Sequence, residues 1–453
     1  MRREKGKGKR EKERAFFLAS CEILCVLFLL MSLAAHGAQT QAHGPQRVTL
    51  TDGVRLILNP EPDADVVALC VFVRRVEPDR TPQEEAIGEV VAHALFFGSL
   101  NRSYDAVMDS IGQVGGGLEI RQTPDTIAIT CVTVPRQVRE AIYLLCESLK
   151  NADFEPEALE RARKDLLKER QQHPQDLFSA AYDALSARVR GVPEAPDPFL
   201  YQHVTQQQAQ AYFQAHYLPA RTVIAVGGRF NAPLVQSDFD NLLFDYDRQP
   251  PRPLAPADPP QPSLGGSPQQ YSTPGGAAYA LVATSTPAVT DPDYPAFLVL
   301  HAALGSGHAS RLFRRVRDTL GIGYEVGASF RANLGEPLIA YLQWDPGRAA
   351  SAPAPPAALK LLTAQMDTLI SDPLTDAELV RARNMAIGRD ALRHERARDR
   401  AFLLGWYEVM GAGYAFDADL PHRLASVTRD DVLRVAKTYL SQRASALVIP
   451  AAK

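Results

Sequence analysis

Residues 157–164 read EALERARK, and residues 377–384 read AELVRARN, 220 positions further along the chain. Two more matched pairs follow in the same order. The dipeptide Val-Thr recurs at 204 and 427, and Tyr-Leu recurs at 217 and 439, each time ahead of an apolar run. Short matches that keep one order at a nearly constant spacing predict that the chain contains a duplicated domain.

A proline-rich stretch separates the two copies. The segment PPRPLAPADPPQP at 250–262 contains seven prolines, and such a run does not fit the interior of a helix or a sheet. We therefore predict an N-terminal domain over 46–248, an extended linker over 249–268 and a C-terminal domain over 269–453.

Apolar runs and helical spacing indicate the fold class. Strands are predicted at Val66–Val73, Thr126–Val134 and Thr222–Val226. Helices are predicted at Glu84–Phe97, Tyr104–Gln113, Pro156–Gln172 and Gln206–His216, and Thr375 with Glu378 forms a capping box in the second half. The strands do not alternate strictly with helices. The pattern predicts an α+β fold of two homologous domains, each a mainly antiparallel sheet with helices packed on one face.

Composition excludes some classes of function. The chain has 453 residues, of which 46% are hydrophobic and 22% charged, as in folded, water-soluble proteins. Lys and Arg number 49 against 52 Asp and Glu, which gives a net charge of −3. Because binding to phosphates requires a basic surface, this balance argues against a general nucleic-acid-binding protein.

The first 38 residues have the pattern of an export signal. Residues 1–14 are basic, an apolar run from Ala15 to Ala35 is broken only by Glu22, and small residues follow at Gly37 and Ala38. This order predicts a secretory signal peptide over 1–38 and an exported protein, periplasmic or secreted. The alternative is an uncleaved anchor, and the membrane would then be contacted only through this segment.

Cysteine usage gives no sign of a disulfide framework. Cys21 and Cys25 fall in the predicted signal, which leaves Cys70, Cys131 and Cys146. An odd, sparse set in an exported protein is typical of buried free thiols. Nothing in the spacing groups these cysteines as a metal site.

Several motifs together resemble a known family. GEVVAHALFFGS at 88–99 is followed by NRS at 101–103 and by a glycine run at 115–117, and in the second half SRLF at 310–313 is followed by GIGY at 321–324. These motifs resemble the insulinase/pitrilysin family of zinc metallopeptidases, in its shorter, processing-peptidase-like branch. The resemblance covers roughly residues 46–453, and it implies a duplicated fold and a connection to peptide hydrolysis.

The resemblance also implies a degenerate zinc site. The family carries H-x-x-E-H on a helix, and aligning His93 with the second histidine puts Glu89 at the first and Ala92 at the catalytic glutamate. The third metal ligand would be Glu169 on a later helix. Glu89 and His93 are four residues apart and so share one helix face. The open alternatives are polar residues without a metal, a residual divalent-metal site and a working hydrolytic centre.

The alanine is the serious departure from the motif. A zinc-bound water needs a base that takes its proton and passes it to the leaving amine. Ala92 cannot titrate, and loss of a general base costs about 10²–10⁴ in rate. We therefore expect this chain to be inactive by itself.

A second pair of residues is retained from the family pattern. In the family an arginine and a tyrosine from the half without zinc bond the substrate near the scissile peptide, and they correspond to Arg317 and Tyr324. A guanidinium and a phenol can stabilise a developing oxyanion. The alternative is a surface arginine on a helix and a tyrosine in the core of a strand.

The glycine run resembles the family's peptide-binding edge strand. Gly116, Gly117, Leu118 and Glu119 would pair through their backbone with an extended substrate, and glycines allow close approach. A simple turn before a strand is the alternative interpretation.

The sequence therefore predicts a non-catalytic subunit. It would complete the peptidase chamber of a homologous zinc-bearing partner as a heterodimer, or pair as a homodimer, and would help to bind and cleave peptides. Zinc is expected in the partner, with at most weak binding at Glu89, His93 and Glu169 in this chain. The rival predictions are an autonomous zinc metalloendopeptidase with a variant site and a purely structural or peptide-holding protein.

Overall fold

Two β-sheets, one built from each half of the chain, organise the structure. The computed structural model describes residues 44–75, 81–172, 177–192, 196–246, 263–273, 276–346 and 353–451. All of the elements below belong to the unit Pro45–Lys453. The predicted signal peptide lies outside the described residues, and so does most of the predicted linker. The domain boundaries at 248 and 268 stay predictions.

The first sheet has six strands and is mainly antiparallel. Its strands are β1 (Gln46–Thr49), β2 (Arg55–Pro60), β3 (Val67–Arg74), β4 (Gly115–Gln122), β5 (Thr126–Thr133) and β6 (Thr222–Gly228), in the spatial order β1-β2-β6-β3-β5-β4. Only β2 and β6 run parallel, and the other neighbours are antiparallel. Strand β4 is therefore an edge strand.

The second sheet repeats this topology without the outermost strand. Its strands are β7 (Gln269–Thr273), β8 (Ala278–Thr284), β9 (Val326–Ser329), β10 (Leu338–Trp344) and β11 (Ala444–Pro450), in the order β7-β11-β8-β10-β9. The pair β7 and β11 is parallel, as β2 and β6 are, and the other pairs are antiparallel. The two-domain α+β prediction is confirmed.

Helices connect the strands and pack on the sheets. They are α1 (Pro82–Ala94), α2 (Tyr104–Val114), α3 (Val138–Asn151), α4 (Pro156–Gln172), α5 (Leu177–Arg190), α6 (Pro198–Gln202), α7 (Gln206–His216), α8 (Ala232–Leu243), α9 (Tyr294–Gly305), α10 (Pro355–Ser371), α11 (Asp376–Leu392), α12 (Ala397–Val409), α13 (Phe416–Ser426) and α14 (Arg429–Tyr439). Capping boxes start α7 at Thr205 and α14 at Thr428, which are the two copies of the repeated Val-Thr motif. The box predicted for Thr375 and Glu378 is present at the start of α11.

Each half also donates one helix to the other half's sheet. Helix α12 packs on β3 and β6, and helix α5 packs on β11 and β8. In β3 the residues Ala68, Cys70 and Phe72 face the cluster that contains α12, while their neighbours face the helices of the first half. Both faces of β3 are therefore buried, which explains why its sequence is an unbroken apolar run rather than an alternating one.

The two exchanged helices are themselves equivalent elements of the internal repeat. Helices α5 and α12 begin at residues 177 and 397, and this spacing equals that of the two EALERARK-like segments. Helices of the same half cover one face of each sheet, as predicted, and the exchanged helix covers the other. Cys70, Cys131 and Cys146 are buried free thiols, as expected. Among the described residues, no helix combines the length and apolar character that a membrane crossing requires.

Candidate functional site

Helix α1 carries the segment that resembles the zinc motif. Its start is fixed by Thr81 and Glu84, which form a capping box. One side of the helix packs into the core, and Ala92 is on that side with 1% of its surface exposed. A methyl group that is buried in this way neither titrates nor reaches a substrate. No general base stands where the family motif has one.

Glu89 is held by a tyrosine and an arginine. The hydroxyl of Tyr201 on α6 donates to Oε2 of Glu89, and Nη2 of Arg170 on α4 lies 3.3 Å from both carboxylate oxygens. Burial raises the pKa of Glu89, while Arg170 and Tyr201 act against that rise. The carboxylate therefore has a positive partner supplied by the chain itself.

His93 lies one turn beyond Glu89 and has two acceptor partners. Its Nδ1 is 2.9 Å from the backbone oxygen of Glu89, and its Nε2 is 3.3 Å from Oε2 of Glu169. Which of the two ring nitrogens donates depends on the tautomer of the imidazole. The Nε2 atom that a metal would use lies beside the carboxylate of Glu169. The His93–Glu169 contact is solvated, since Glu169 is 68% exposed.

The predicted metal ligands are brought close together but do not form a zinc site. His93 meets Glu169, whereas the carboxylate of Glu89 is directed to Arg170 and Tyr201. Nowhere in the described part of the chain do three His, Cys, Asp or Glu side chains group in a way that would hold a metal ion. The donor set lacks the second histidine, and the guanidinium of Arg170 repels a divalent cation. We derive no catalytic step through zinc in this chain.

Sequence reasoning missed Arg170 and Tyr201. Arg170 directly follows the predicted ligand Glu169 in LLKER, so a positive charge next to the third ligand was a usable signal. Tyr201 comes from a short helix 112 positions beyond Glu89. No spacing rule connects the two, and only the tertiary fold brings them together.

The predicted peptide-binding residues lie on the edge strand β4. Gly116 and Gly117 are exposed, and Leu118 and Glu119 are half-buried. The strand is irregular between Gly115 and Leu118, where its register against β5 shifts. The other end of β4 is tied to α1, since Nε2 of Gln122 donates to Glu85 over 3.1 Å. The edge strand and the helix of the altered motif therefore form one surface.

Gly116 has a structural reason to be glycine. A Cβ atom at this position would lie 1.8 Å from the backbone oxygen of Val132 on β5, so the close approach involves the neighbouring strand of the same sheet. Glu119 is paired with Arg398 of the exchanged helix α12 over 2.6 Å. Although partial burial acts to raise it, the pKa of Glu119 is held below its usual range by Arg398 and Arg121.

Arg317 and Tyr324 lie against each other at the surface of the second half. Arg317 is on the π-helix Phe313–Thr319, and its guanidinium carbon is 4.7 Å from the ring centres of both Phe313 and Tyr324. Tyr324 is 74% exposed, so it is not the strand core residue of the alternative interpretation. In the described part of the chain Arg317 has no carboxylate partner. Its charge and the phenol remain available to a ligand.

Arg311 of the SRLF segment has a structural task. Its Nε and Nη2 donate to the two oxygens of Glu378 over 3.0 and 3.1 Å, and its Nη1 donates to the backbone oxygens of Thr368 and Asp372. One side chain thus joins the end of α10 to the start of α11. This paired, bidentate geometry is the strong form of an arginine–carboxylate contact.

The Arg311–Glu378 pair is expected to make the stability of the fold depend on pH in the acidic range. The hydrogen bonds from Arg311 hold the pKa of Glu378 down at about 2, against 4.5 for a free glutamate. A depressed folded-state pKa gives stability that is complete above the unfolded value and is lost as the pH falls toward the folded value. We expect Glu378→Gln to lower the melting temperature at pH 7, and the difference should shrink between pH 4.5 and 3. The exposed Glu395→Gln serves as control, and a difference that is constant with pH would contradict the assignment.

Comparisons with known proteins agree with this architecture. A family model described as the peptidase M16 inactive domain matches residues 203–386. An uncharacterized zinc protease of Streptomyces coelicolor is 25% identical over 418 residues, which is 89% of each chain. A probable mitochondrial-processing peptidase subunit beta of Arabidopsis thaliana is 24% identical over 283 residues, which is 60% of this chain and 53% of that protein.

A solved structure shows the same fold. A protease from Helicobacter pylori superimposes with a TM-score of 0.76 at 16% identity, and the match covers 90% of this chain and 99% of that chain. The motifs of both halves, the repeated sheet topology and the sequence relatives all point the same way. The chain is thus similar in sequence to M16 peptidases and peptidase-like proteins, and it has their fold.

Proposed function

We propose that this chain is a non-catalytic subunit that completes the active chamber of a homologous, zinc-bearing peptidase chain. The observation that carries the proposal is a contrast between two sites. At the altered motif, Glu89 is neutralised by Arg170 and Ala92 offers no base. At the other site, Arg317 and Tyr324 are stacked, accessible and without a carboxylate partner in the described residues.

Arg317 and Tyr324 supply the chemistry that such a subunit needs. Hydrolysis of a peptide places negative charge on the carbonyl oxygen, and hydrogen-bond donors aimed at that charge lower the barrier. The guanidinium of Arg317 and the hydroxyl of Tyr324 are donors of this kind. The stacked contact between them fixes their relative position before a substrate arrives, which reduces the reorganisation that catalysis requires.

The edge strand provides a place for the peptide. An extended peptide can add to an exposed strand edge through main-chain hydrogen bonds, with little dependence on sequence. Strand β4 is such an edge, and Gln122 links it to α1. In the proposed assembly this surface holds unfolded segments near the chamber, and the partner performs the hydrolysis.

The relatives support a partnered role. The Arabidopsis thaliana relative is named as one subunit of a processing peptidase, and a subunit by name works within an assembly. The Streptomyces coelicolor relative is named as a zinc protease, which makes a zinc-bearing family member a reasonable partner. The basic and apolar N-terminal segment supports export of this chain, to the periplasm or beyond.

The test uses the complex. This chain is co-expressed with a family member that carries an intact H-x-x-E-H, the complex is purified, and cleavage of an unfolded peptide is measured. Loss of one oxyanion donor typically costs about 10²–10³ in kcat, so Arg317→Ala and Tyr324→Phe should each lower the complex's kcat by that order. Arg315→Ala, an exposed arginine on the same π-helix, should leave kcat unchanged.

Three outcomes would contradict the proposal. One is an unchanged kcat in both variants. The second is peptide cleavage by the isolated chain that EDTA abolishes and His93→Ala removes, which identifies an autonomous metallopeptidase. The third is stable peptide binding with no effect on any partner's rate, which identifies a peptide-holding protein.

A further inference from the structure

A cavity in the second half lies at the place that corresponds to the altered zinc motif in the first half. It has a volume of about 500 Å³ and lies between α9, the loop at 330–333 and α11. Small-molecule sites usually have volumes of about 300–1,000 Å³. We name it the arginine cavity, because Arg331, Arg389 and Arg393 all line it.

The repeat defines the correspondence. Strands β5 and β10 and helices α1 and α9 begin 212 residues apart, while α4 and α11 begin 220 apart. His301 therefore corresponds to Glu89, and Arg389 corresponds to Glu169. The next residue along the same helix is Arg170 in the first half and Asp390 in the second. In the first half an acidic residue, Glu169, precedes a basic one, Arg170. In the second half the basic residue Arg389 precedes the acidic residue Asp390.

Two of the three arginines are not neutralised by a close carboxylate. Arg331 is neutralised by Glu336, at 2.6 Å. Arg389 donates through Nη1 to the hydroxyl of Ser306 over 2.7 Å, and the described residues offer it no carboxylate. Arg393 is nearest to Oδ1 of Asp390, at 3.9 Å, which is too long for a hydrogen bond. Tyr407 takes one hydrogen bond of Arg393, and the guanidinium has further N–H donors for a ligand.

The acidic group at the cavity is recessed. Asp390 is only 5% exposed, and burial raises its pKa. Its Oδ1 makes no hydrogen bond within the described structure. His301 adds no charge, because burial lowers its pKa to about 4 and its Nε2 donates to the backbone oxygen of Ala328 over 2.9 Å. Beyond the Arg331–Glu336 pair, the cavity therefore has two guanidinium groups, Arg389 and Arg393, against the one recessed carboxylate of Asp390.

The rest of the wall is apolar. Leu298, Ala302, Phe330 and Ala386 line the cavity beside the guanidinium groups. A site of this composition favours a ligand that has an apolar body and one anionic group, since a bare inorganic anion would leave the apolar wall unfilled.

We propose that the arginine cavity binds a small organic oxyanion, a carboxylate or a phosphate on an apolar body, with Arg389 and Arg393 holding the anionic group. This site is separate from the Arg317–Tyr324 pair and does not depend on the proposed subunit role. Arg170 at the altered motif of the first half differs from Arg389, because Glu89 already neutralises it.

Isothermal titration calorimetry on the purified full chain tests the proposal. The probes are N-acetyl-leucyl-phenylalanine, its C-terminal amide, phenyl phosphate and inorganic phosphate. We expect saturable binding of the free acid, of phenyl phosphate or of both, and which of them binds identifies the anionic group. The amide and inorganic phosphate should bind at least 10-fold more weakly than the better probe.

Substitutions locate the site. Arg389→Ala and Arg393→Gln should each weaken binding of the better probe at least 10-fold, and Arg389→Lys should weaken it less than Arg389→Ala. Arg389 is exposed, so its replacement should leave the melting temperature nearly unchanged and decides the matter even if Arg393→Gln does not fold. Arg381→Ala, an exposed arginine on the same helix, is the matched control. Absence of saturable binding, equal affinity for acid and amide, or unchanged affinity in Arg389→Ala would overturn the proposal.

Discussion

A chain that carries Glu89→His and Arg170→Leu together is expected to bind one zinc ion, whereas the variant with only the first change should bind it at least 100-fold more weakly. The first change supplies the second histidine of the motif on α1 and leaves Glu169 as the third ligand. Arg170 is the remaining obstacle, because its guanidinium is already directed at position 89.

Coulomb repulsion sets the size of this effect. Two unit charges about 4 Å apart interact with about 4 kcal/mol at an effective dielectric of 20, and zinc carries two charges. Partial exposure of the site lowers this value, and 100-fold corresponds to about 2.7 kcal/mol. Leucine at position 170 keeps apolar volume beside Tyr201 and removes the charge.

The measurement is zinc content after dialysis, followed by competition with a chelator of known affinity. Arg161→Leu, added to Glu89→His in place of Arg170→Leu, removes a charge from the same helix without altering the pocket, since Arg161 pairs with Glu157. Equal zinc affinity of the single and double variants would show that Arg170 does not block the metal. Stoichiometric zinc in the unaltered chain would refute the assignment outright.

Gly405→Val is expected to cost the most stability among single substitutions on the exchanged helices. A Cβ atom at Gly405 of α12 would lie 2.4 Å from Cε2 of Phe72 and 3.0 Å from Cβ of Ala225, both on the first sheet. Overpacking of a buried contact usually costs about 1–3 kcal/mol. Valine adds two further methyl groups at a helix–sheet contact that has no room, so we expect the upper end of this range or more.

Urea unfolding followed by circular dichroism measures this loss. Gly388→Ala is the matched control, because Gly388 is also a helical glycine, but a Cβ atom there would meet no other atom within 4 Å. That change should raise stability by about 0.5–1 kcal/mol through helix propensity. If Gly405→Val unfolds at the same urea concentration as the unaltered chain, the packing of α12 on the first sheet is wrong.

Local sequence signals were sufficient for most of the secondary structure. The helices Pro156–Gln172 and Gln206–His216 have the predicted bounds, and the strand predicted at Val66–Val73 is observed at Val67–Arg74. Helical spacing, strand-like apolar runs and capping residues are properties of neighbouring positions, so the sequence records them directly. The internal repeat then predicted the second sheet from the first.

The exchange of helices could not be predicted in this way. Periodicity shows that a helix such as α12 has apolar residues to bury, but it does not identify the sheet that buries them. The contact between Gly405 and Phe72 joins positions more than 300 residues apart, and only shape complementarity selects it. The topology of the whole chain, and not a local sequence pattern, determines which sheet each exchanged helix covers.

At the candidate site, too, local spacing does not predict the contacts between residues that are distant in the sequence. The spacing of four residues placed Glu89 and His93 on one helix face, and the structure agrees. It did not predict that Arg170 and Tyr201 hold the carboxylate of Glu89, because these residues come from two other helices 81 and 112 positions away. The identity of a metal ligand depends on such neighbours as much as on its own side chain.

The reciprocal donation of helices α5 and α12 has a consequence for synthesis of the chain. Ribosomes build proteins from the amino terminus, so all strands of the first sheet emerge well before α12, which ends at Val409. Until then no helix covers Ala68, Cys70 and Phe72, and their apolar side chains face water in the nascent polypeptide. The first half can therefore finish folding only after nearly the whole chain has been synthesised. During that interval the apolar face of its sheet is exposed and can be bound by chaperones.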